Sequence, residues 1–104
     1  MIIGQKLRSL REEKGLLLRQ VAASLEVDTA YISKMERGEK NIKKDYIIQL
    51  ARLYDYDEAE LIALWLADKV FDTVKGEATA LHALDIAKEH LKNLEELDVV
   101  NLNK

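Results

Sequence analysis

The sequence predicts an all-α protein with five helices and an additional C-terminal helix. The chain has 104 residues, no proline and only four glycines, so little in it interrupts a helix. Apolar residues recur at spacings of three and four in successive segments, which is the period of a helix with one buried face. Glycines and short polar clusters separate these segments. A chain of this length builds one hydrophobic core, so a single domain is the starting expectation.

The first two helices are predicted at residues 3–14 and 18–25. In the first, apolar side chains repeat along one face and a glycine follows as a stop: Ile3, Leu7, Leu10 and Gly15. The second carries its own apolar face: Leu18, Val21, Ala22 and Leu25. Because so short a segment is not stable as an isolated helix, the second helix depends on packing against the rest of the chain.

The third helix is expected to follow Asp28, whose side chain can cap it, and to run through TAYISKMER to Gly38. A polar and basic loop, EKNIKK, comes next. The fourth helix is predicted from about Asp45 to Tyr54. Its inward-facing side chains are Ile47, Leu50, Ala51 and Tyr54.

The fifth helix is expected to begin near Asp57, which with Glu60 forms a capping-box-like start, and to reach about Lys75 before Gly76 ends it. The sixth is predicted from Glu77 onward. It carries a narrow apolar seam suited to packing against another helix: Ala80, Leu84, Ala87, Leu91 and Leu94. We therefore expect a domain at residues 1–75 and a helical extension at residues 76–104 that serves dimerisation or caps the core.

Charge is divided unevenly along the chain, although its formal net value is only −3. Residues 1–44 hold ten Lys and Arg against six Asp and Glu, which gives +4, whereas residues 45–104 hold six against thirteen, which gives −7. A basic N-terminal part favours contact with a polyanion, and an acidic remainder is repelled by phosphates. The acidic part is therefore expected to face away from nucleic acid.

Several classes of function are disfavoured by what the sequence lacks. Without cysteine there is no disulfide, thiolate nucleophile or zinc ribbon. His82 and His90 cannot converge on a metal within one helix. Across a dimer they could, but solvent-exposed histidines are favoured, and no metal, cofactor or small-molecule ligand is expected. Neither paired carboxylates nor a Ser/His/Asp set appears at a usable spacing, so the sequence does not predict an enzyme. With no secretory signal and no apolar run that would cross a bilayer, we expect a cytoplasmic protein without membrane contact.

The second and third helices, joined by a tight turn, have the arrangement by which a helix is laid into the major groove of DNA. On the third helix, Ile32 and Met35 are expected to anchor the inner side. The outer side carries small and polar residues that can reach base edges: Thr29, Ala30, Ser33 and Lys34. Cationic residues follow at the helix end and in the loop, where they can hold the phosphate backbone: Arg37, Lys40, Lys43 and Lys44.

Residues 3–66 resemble the Xre/Cro/phage-repressor helix-turn-helix family, which includes restriction-modification controller proteins. The resemblance is carried by LREEKG, VAASLEVDTAYISKMERG and QLARLY. It implies a five-helix repressor-like helix-turn-helix domain in which the outer residues of the third helix read bases and the cationic residues after them clamp the backbone. Arg11 and Glu36 match a buried ion pair that ties the first helix to the third.

The chain departs from the family pattern on both sides of the second helix. Leu17 and Leu18 stand where the family commonly has a polar cap and a glutamine, so Arg19 or Gln20 is expected to supply the phosphate contact. Glu26 stands where a glycine is usual, which a turn accepts if its backbone torsions are ordinary.

Two uncharged residues complete the expected backbone contacts. Asn41 lies among the lysines of the basic loop. Tyr31 either stacks on sugar or phosphate or lies at the edge of the core with its hydroxyl in water, and the sequence does not choose between these roles.

The apolar run LIALWLA in the fifth helix predicts a partner, because a helix that is apolar nearly all round must be covered on more than one side. Leu61 and Leu64 are expected to close the core. The remaining apolar residues form a candidate dimer interface with Trp65 at its centre: Trp65, Leu66, Val70 and Phe71. The alternative is that the sixth helix folds back over this patch within one chain.

Together these features predict a sequence-specific transcriptional regulator that binds double-stranded DNA as a homodimer on a pseudo-palindromic operator. The alternative is an antitoxin-type interaction module that neutralises a partner toxin and autoregulates its operon. A ligand-gated regulator is disfavoured, because about 40 residues after the motif are too few for a separate sensor domain.

Overall fold

The computed structural model describes residues 2–102, with side chains as far as residue 97, and this part of the chain is helical with no strand. Six helices follow in order: α1 Ile2–Glu13, α2 Leu18–Leu25, α3 Thr29–Arg37, α4 Lys44–Leu53, α5 Glu58–Val74 and α6 Ala80–Leu102. The predicted fold class, all-α with five helices and an additional one, is confirmed. None of the helices in the described part of the chain combines the length and apolar character that a bilayer crossing requires.

The helix boundaries agree with the sequence-based expectations except at the start of α6. That helix was expected from Glu77, but it begins at Ala80. Gly76 adopts a positive φ of 83°, and the turn after it closes with a hydrogen bond from the Ala80 N–H to the Glu77 carbonyl at 3.2 Å. The turn therefore takes up the residues predicted as the first turn of the helix.

The chain forms two compact units, one up to Asp72 and the other from Thr73 onward. The first unit contains a continuous hydrophobic core to which α1 to α5 all contribute. Its buried apolar side chains are Ile3, Leu7, Leu10, Val21, Ala22, Leu25, Ile32, Met35, Ile42, Ile47, Leu50, Ala51, Tyr54 and Leu61. Burial of this set holds the two short helices α2 and α3 in place, since neither is long enough to be stable alone.

The start of α1 is fixed by a carboxylate from α5. Asp68 is buried, and its two oxygens accept hydrogen bonds from the backbone N–H groups of Ile2 at 3.2 Å and Ile3 at 2.8 Å. These amides belong to the first turn of α1, where backbone N–H groups have no acceptor within the helix. A negative charge here also complements the positive end of the helix dipole.

The turn between α2 and α3 contains a strained residue. Glu26 has φ 57° and ψ 43°, in the left-handed region, so the condition of ordinary torsions, under which a turn accepts glutamate in place of glycine, is not met. Its N–H donates to the Ala23 carbonyl at 3.2 Å, and the Val27 N–H donates to the Ala22 carbonyl at 3.0 Å. This pair of bonds ends α2 and requires the conformation that a glycine adopts more readily.

Capping of the helices is partly as expected. At α5, the Asp57 carboxylate accepts a hydrogen bond from the Glu60 N–H at 2.9 Å. At α3, Asp28 occupies the N-cap position but its side chain makes no capping bond, so that expected bond is absent. Gly38 ends α3 with a φ of 76°, the left-handed conformation that favours glycine.

Candidate nucleic-acid interface

The two sides of α3 differ sharply in exposure. Ile32 and Met35 are buried in the core. Three of the four expected base-reading residues, Thr29, Ala30 and Lys34, are exposed. The fourth, Ser33, is half-buried. One side of α3 is thus packed on the protein, and the other presents a hydroxyl, a methyl and an ammonium group.

An ion pair fixes α3 against α1. Arg11 Nε donates to Glu36 Oε2 at 2.7 Å, and Arg11 Nη2 donates to Glu36 Oε1 at 3.1 Å. The side chains are only 13% and 6% exposed. Arg11 Nη1 donates to the Leu16 carbonyl at 3.0 Å, so the same guanidinium also holds the segment that leads into α2. The hydrogen bond to Glu36 raises the pKa of Arg11, while burial acts in the opposite direction.

Tyr54 lies beside this pair, and its side chain is fully buried. Burial raises the pKa of Tyr54 strongly. The charge of Glu36 raises it further, and the charge of Arg11 lowers it. Tyr54 therefore stays neutral where an exposed tyrosine would ionise.

Arg37, at the end of α3, is held by two neighbours. Its Nη1 donates to Ser33 Oγ at 3.1 Å, and its Nη2 donates to Glu39 Oε2 at 3.1 Å. Ser33 and Arg37 line a cleft of about 260 Å³ together with Arg8, Arg11, Leu18 and Glu36. Arg37, expected to contact the DNA backbone, is thus hydrogen-bonded to Ser33, expected to read bases.

The start of α2 has no side-chain cap of its own. Leu17 occupies the N-cap position, and its N–H donates to the side-chain oxygen of Gln20 at 2.8 Å. That bond occupies the acceptor end of the Gln20 amide, so the –NH2 end is what Gln20 can offer to a phosphate. Arg19 is exposed beside it.

Tyr31 packs at the edge of the core. Its ring meets that of Tyr46 edge-on, with centroids 5.8 Å apart and an angle of 65° between the planes. Lys40 Nζ lies 5.5 Å from the Tyr31 ring centroid, within reach of a cation–π contact. Burial raises the pKa of Tyr31, and Tyr46 adds to the increase. Of the two roles left open by the sequence, these contacts favour the core edge.

The loop after α3 presents cations to solvent. Lys40, Asn41, Lys43 and Lys44 are all exposed, and Lys44 is the first residue of α4. Between them, Ile42 is buried. The side chain of Ile42 therefore anchors a loop whose other side chains point outward.

Trp65 holds the same loop through a hydrogen bond. Its Nε1 donates to the Ile42 carbonyl at 2.6 Å, and its ring packs half-buried against the core under Lys69 Nζ, 4.7 Å from the centroid. The sequence predicts Trp65 at the centre of a dimer interface, but its indole N–H donates a hydrogen bond within the chain. The other three residues of that patch, Leu66, Val70 and Phe71, are exposed.

Sequence reasoning missed three contributors to this region. Glu39 was read as one residue of a basic loop, yet it pairs with Arg37. The Trp65 bond to Ile42 joins residues 23 apart in sequence, and the Asp68 bonds to α1 join residues more than 60 apart. The only signal for the last was a carboxylate directly after the apolar run LIALWLA of α5. Within the described residues, no three side chains of His, Cys, Asp or Glu gather as metal ligands do.

Comparison with known proteins places this geometry in a family. The family model described as a helix-turn-helix domain matches residues 2–64. The HTH-type transcriptional regulator DdrOP3 of Deinococcus deserti is 32% identical over 62 residues, which are 60% of this chain and 48% of that protein. The chain thus spans about half the length of the curated relative it matches.

Solved structures show the same fold. Two crystal structures of the clp gene regulator ClgR from Corynebacterium glutamicum are similar, with TM-scores of 0.55 and 0.56 and identities of 27% and 25%. They cover 64% and 93% of this chain and 87% and 89% of theirs. A chain of the SinR protein/SinI protein complex aligns over all of both chains with a TM-score of 0.53 and 21% identity, which is a likeness of fold alone.

The resemblance read from LREEKG and the stretches after it is confirmed by these matches. Since the family model covers more than half of the chain, including α1 to α4 and the start of α5, the protein belongs to the helix-turn-helix domain family.

Proposed function

We propose that this chain is a sequence-specific DNA-binding transcriptional regulator whose α3 enters the major groove. The observation that carries the proposal is the exposed outer side of α3, on a helix whose opposite side is buried and tied to α1 by an ion pair. A rigid helix with a free polar side is what groove binding requires. The similarity to a relative named as a transcriptional regulator supports the same role.

Base reading falls to the first turns of α3, which reach the bases in this geometry. Lys34 can donate to O6 and N7 of guanine, the Thr29 hydroxyl can pair with several bases, and the Ala30 methyl can contact a thymine methyl. Ser33, half-buried beside them, completes the proposed set.

Residues proposed to contact the DNA backbone lie around the base-reading residues, at the start of α2, on α3 and in the loop after α3. The proposed residues are Arg19, Gln20, Arg37, Lys40, Asn41, Lys43 and Lys44. Their contacts position α3 in the groove and carry the salt-dependent part of the affinity. Tyr31, which was also expected to contact the DNA backbone, is left out because it packs at the edge of the core.

The proposal includes a homodimer on a pseudo-palindromic operator. The exposed Leu66, Val70 and Phe71 supply apolar surface on α5, and α6 exposes further leucines of its own. A two-fold dimer sets two copies of α3 about one turn of DNA apart. Joining two half-site contacts raises affinity beyond that of one module.

The exposed leucines of α6 also favour a second candidate, an antitoxin-type protein that uses the C-terminal extension, residues 76–104, to neutralise a toxin. Leu81, Leu91, Leu94 and Leu97 are all exposed. A toxin gene beside the gene for this chain would support that role, and a methyltransferase and endonuclease pair would support a controller of restriction-modification.

Selection of bound duplexes from a random pool, followed by titration by fluorescence anisotropy, tests the proposal. Lys34→Ala should weaken binding to the selected duplex by about 1–3 kcal/mol and relax preference at one position of each half-site. Lys44→Ala should weaken all duplexes alike and reduce the slope of log affinity against log salt by about 0.9. If no duplex is bound better than bulk competitor DNA at moderate salt, the proposed function is wrong.

A further inference from the structure

Arg37 is already neutralised where DNA is proposed to bind. The Nη2 atom of Arg37 lies 3.1 Å from Glu39 Oε2, and the two side chains are 56% and 55% exposed. Glu39 is two residues beyond Arg37, at the start of the basic loop EKNIKK. The Glu39 carboxylate thus accepts a hydrogen bond that Arg37 would otherwise donate to a phosphate oxygen.

The exposure of this pair makes it exchangeable. An ion pair between exposed side chains contributes little, because water and salt screen it and both side chains lose freedom. The Arg11–Glu36 pair in the same cleft is different, since it is buried and joined by two hydrogen bonds. A phosphate can therefore displace Glu39 from Arg37 without disturbing the ion pair that holds α3.

Ser33 keeps the guanidinium in place during such an exchange. Its Oγ accepts from Arg37 Nη1 at 3.1 Å, independently of the bond to Glu39. Arg8, which also lines the cleft, pairs with Glu12 at 3.0 Å along α1. Arg37 is thus the cation on α3 that is both oriented by a hydroxyl and occupied by a removable carboxylate.

We propose that Glu39 sets the affinity for DNA by competing with a backbone phosphate for Arg37. The inference rests on the proposed function. The Glu39 carboxylate mimics the phosphate in the free protein and must give way when the duplex binds. Because the backbone carries no sequence information, this competition lowers affinity for every duplex alike and leaves discrimination to the base contacts.

The test compares Glu39→Gln with Glu58→Gln on the selected duplex and on a scrambled one. Glu58→Gln is a matched control, because it also removes one negative charge and breaks another exposed ion pair, Arg52–Glu58 at 3.9 Å. We expect Glu39→Gln to raise affinity about three- to tenfold on both duplexes because the competitor for Arg37 is lost, with the lost repulsion between this exposed carboxylate and phosphate contributing less than about twofold. The control should change affinity less than about twofold, and equal melting temperatures check that both variants fold.

A double-mutant cycle shows whether the effect passes through Arg37. In an Arg37→Gln background, Glu39→Gln should change affinity less than about twofold, because the group it competes for is gone. The inference is overturned if Glu39→Gln leaves affinity unchanged or lowers it, if the control gains as much, or if the gain persists without Arg37. Those results arise with a wild-type protein that binds DNA, whereas a wild type that binds no duplex above competitor overturns the proposed function itself.

Discussion

Gly4 lies where α1 meets α3. A Cβ atom at this position would stand 2.7 Å from the Glu36 carbonyl oxygen and 2.8 Å from that of Met35, closer than real Cβ contacts allow. Both obstacles are backbone atoms of α3, so they cannot move aside as a flexible side chain would. The distance between α1 and α3 is therefore set by the absence of a side chain at Gly4.

Gly4→Ala should destabilise the fold by at least about 2 kcal/mol, since overpacking against fixed atoms forces the helices apart. This is opposite to the gain of about 1 kcal/mol that alanine gives over glycine in an unconstrained helix. Urea unfolding measures the difference. Gly15→Ala is the control, because Gly15 has a positive φ of 67° but nothing within 4 Å of its Cβ position. It should cost only about 1–2 kcal/mol. A Gly4→Ala protein as stable as the wild type would contradict this packing.

Tyr54 gives the fold a dependence on alkaline pH. Its pKa in the folded state is raised, mainly by burial and further by Glu36, so the unfolded chain ionises first as pH rises. Below about pH 10 both states keep the proton and the stability is intact. Above that, stability falls by up to about 1.4 kcal/mol per pH unit until the folded-state pKa is reached.

Tyr54→Phe should remove that part of the loss. From pH 8 to pH 11 the wild type should lose about 1.4 kcal/mol more than the variant, each measured against its own value at pH 8. Chemical denaturation across this range makes the comparison. Parallel declines in the two proteins would show that Tyr54 does not ionise on unfolding as described.

At the scale of the helices, the periodic apolar residues predicted each element and most boundaries. The period of three and four predicts a buried face, and that face is buried in α1 to α4. What local pattern could not predict was the left-handed backbone at Glu26 and the bonds from Asp68 to α1. The Asp68 bonds join α5 to α1, which are far apart in sequence, whereas the left-handed residue lies in the turn between the consecutive helices α2 and α3. No local preference of glutamate or aspartate indicates either feature.

Glu26→Gly should stabilise the turn between α2 and α3. A non-glycine residue in the left-handed region carries about 1–2 kcal/mol of strain, which glycine removes. Glycine also gives the unfolded chain more conformational freedom, which lowers stability by about 0.4–1 kcal/mol. The expected net gain is up to about 1 kcal/mol, visible in thermal and urea unfolding. Ser24→Gly, at an exposed helical position of α2, should instead lose about 0.5–1 kcal/mol. Equal losses in the two variants would argue against a strained turn.

The base-reading side of the site was partly within reach of the sequence, because helical spacing alone assigns Ala30 and Lys34 to the side opposite Ile32. Thr29, three residues before Ile32, lies beside that outer side at the first turn of the helix. The pairing of Arg11 with Glu36 came only from the family resemblance, since the two residues are 25 apart. Neither helical spacing nor the family resemblance indicated that Trp65 hydrogen-bonds to the Ile42 carbonyl. An apolar run predicts that a tryptophan is covered, and the chain alone does not say by which surface.

For the whole molecule, the exposed apolar residues of α5 carry the proposal of a dimer. Phe71 is 62% exposed and stands near Leu66 and Val70 in the sequence of α5. Phe71→Glu should weaken dimerisation at least 30-fold, because a charge at an interface anchor costs about 2 kcal/mol or more. Sedimentation equilibrium measures it. Ala59→Glu adds the same charge at an exposed position of α5 outside the patch and should leave the dimer intact.

The dimer also predicts how DNA binding responds. Phe71→Glu should weaken binding to a duplex with two half-sites and leave binding to a single half-site unchanged, since only the former uses both subunits. If the wild type is monomeric at micromolar concentration and binds one half-site as well as two, the dimer proposal is wrong.

The claim on which the account depends is that DNA covers the outer side of α3, and the absence of cysteine allows a direct measurement. A thiol at position 30, from Ala30→Cys, and a control thiol at position 59, from Ala59→Cys, are each alkylated with and without saturating selected duplex. We expect DNA to slow alkylation at position 30 at least about tenfold and to leave position 59 unchanged, because a base edge against α3 excludes the reagent. Equal alkylation rates at position 30 with and without bound duplex would contradict the proposed role of α3.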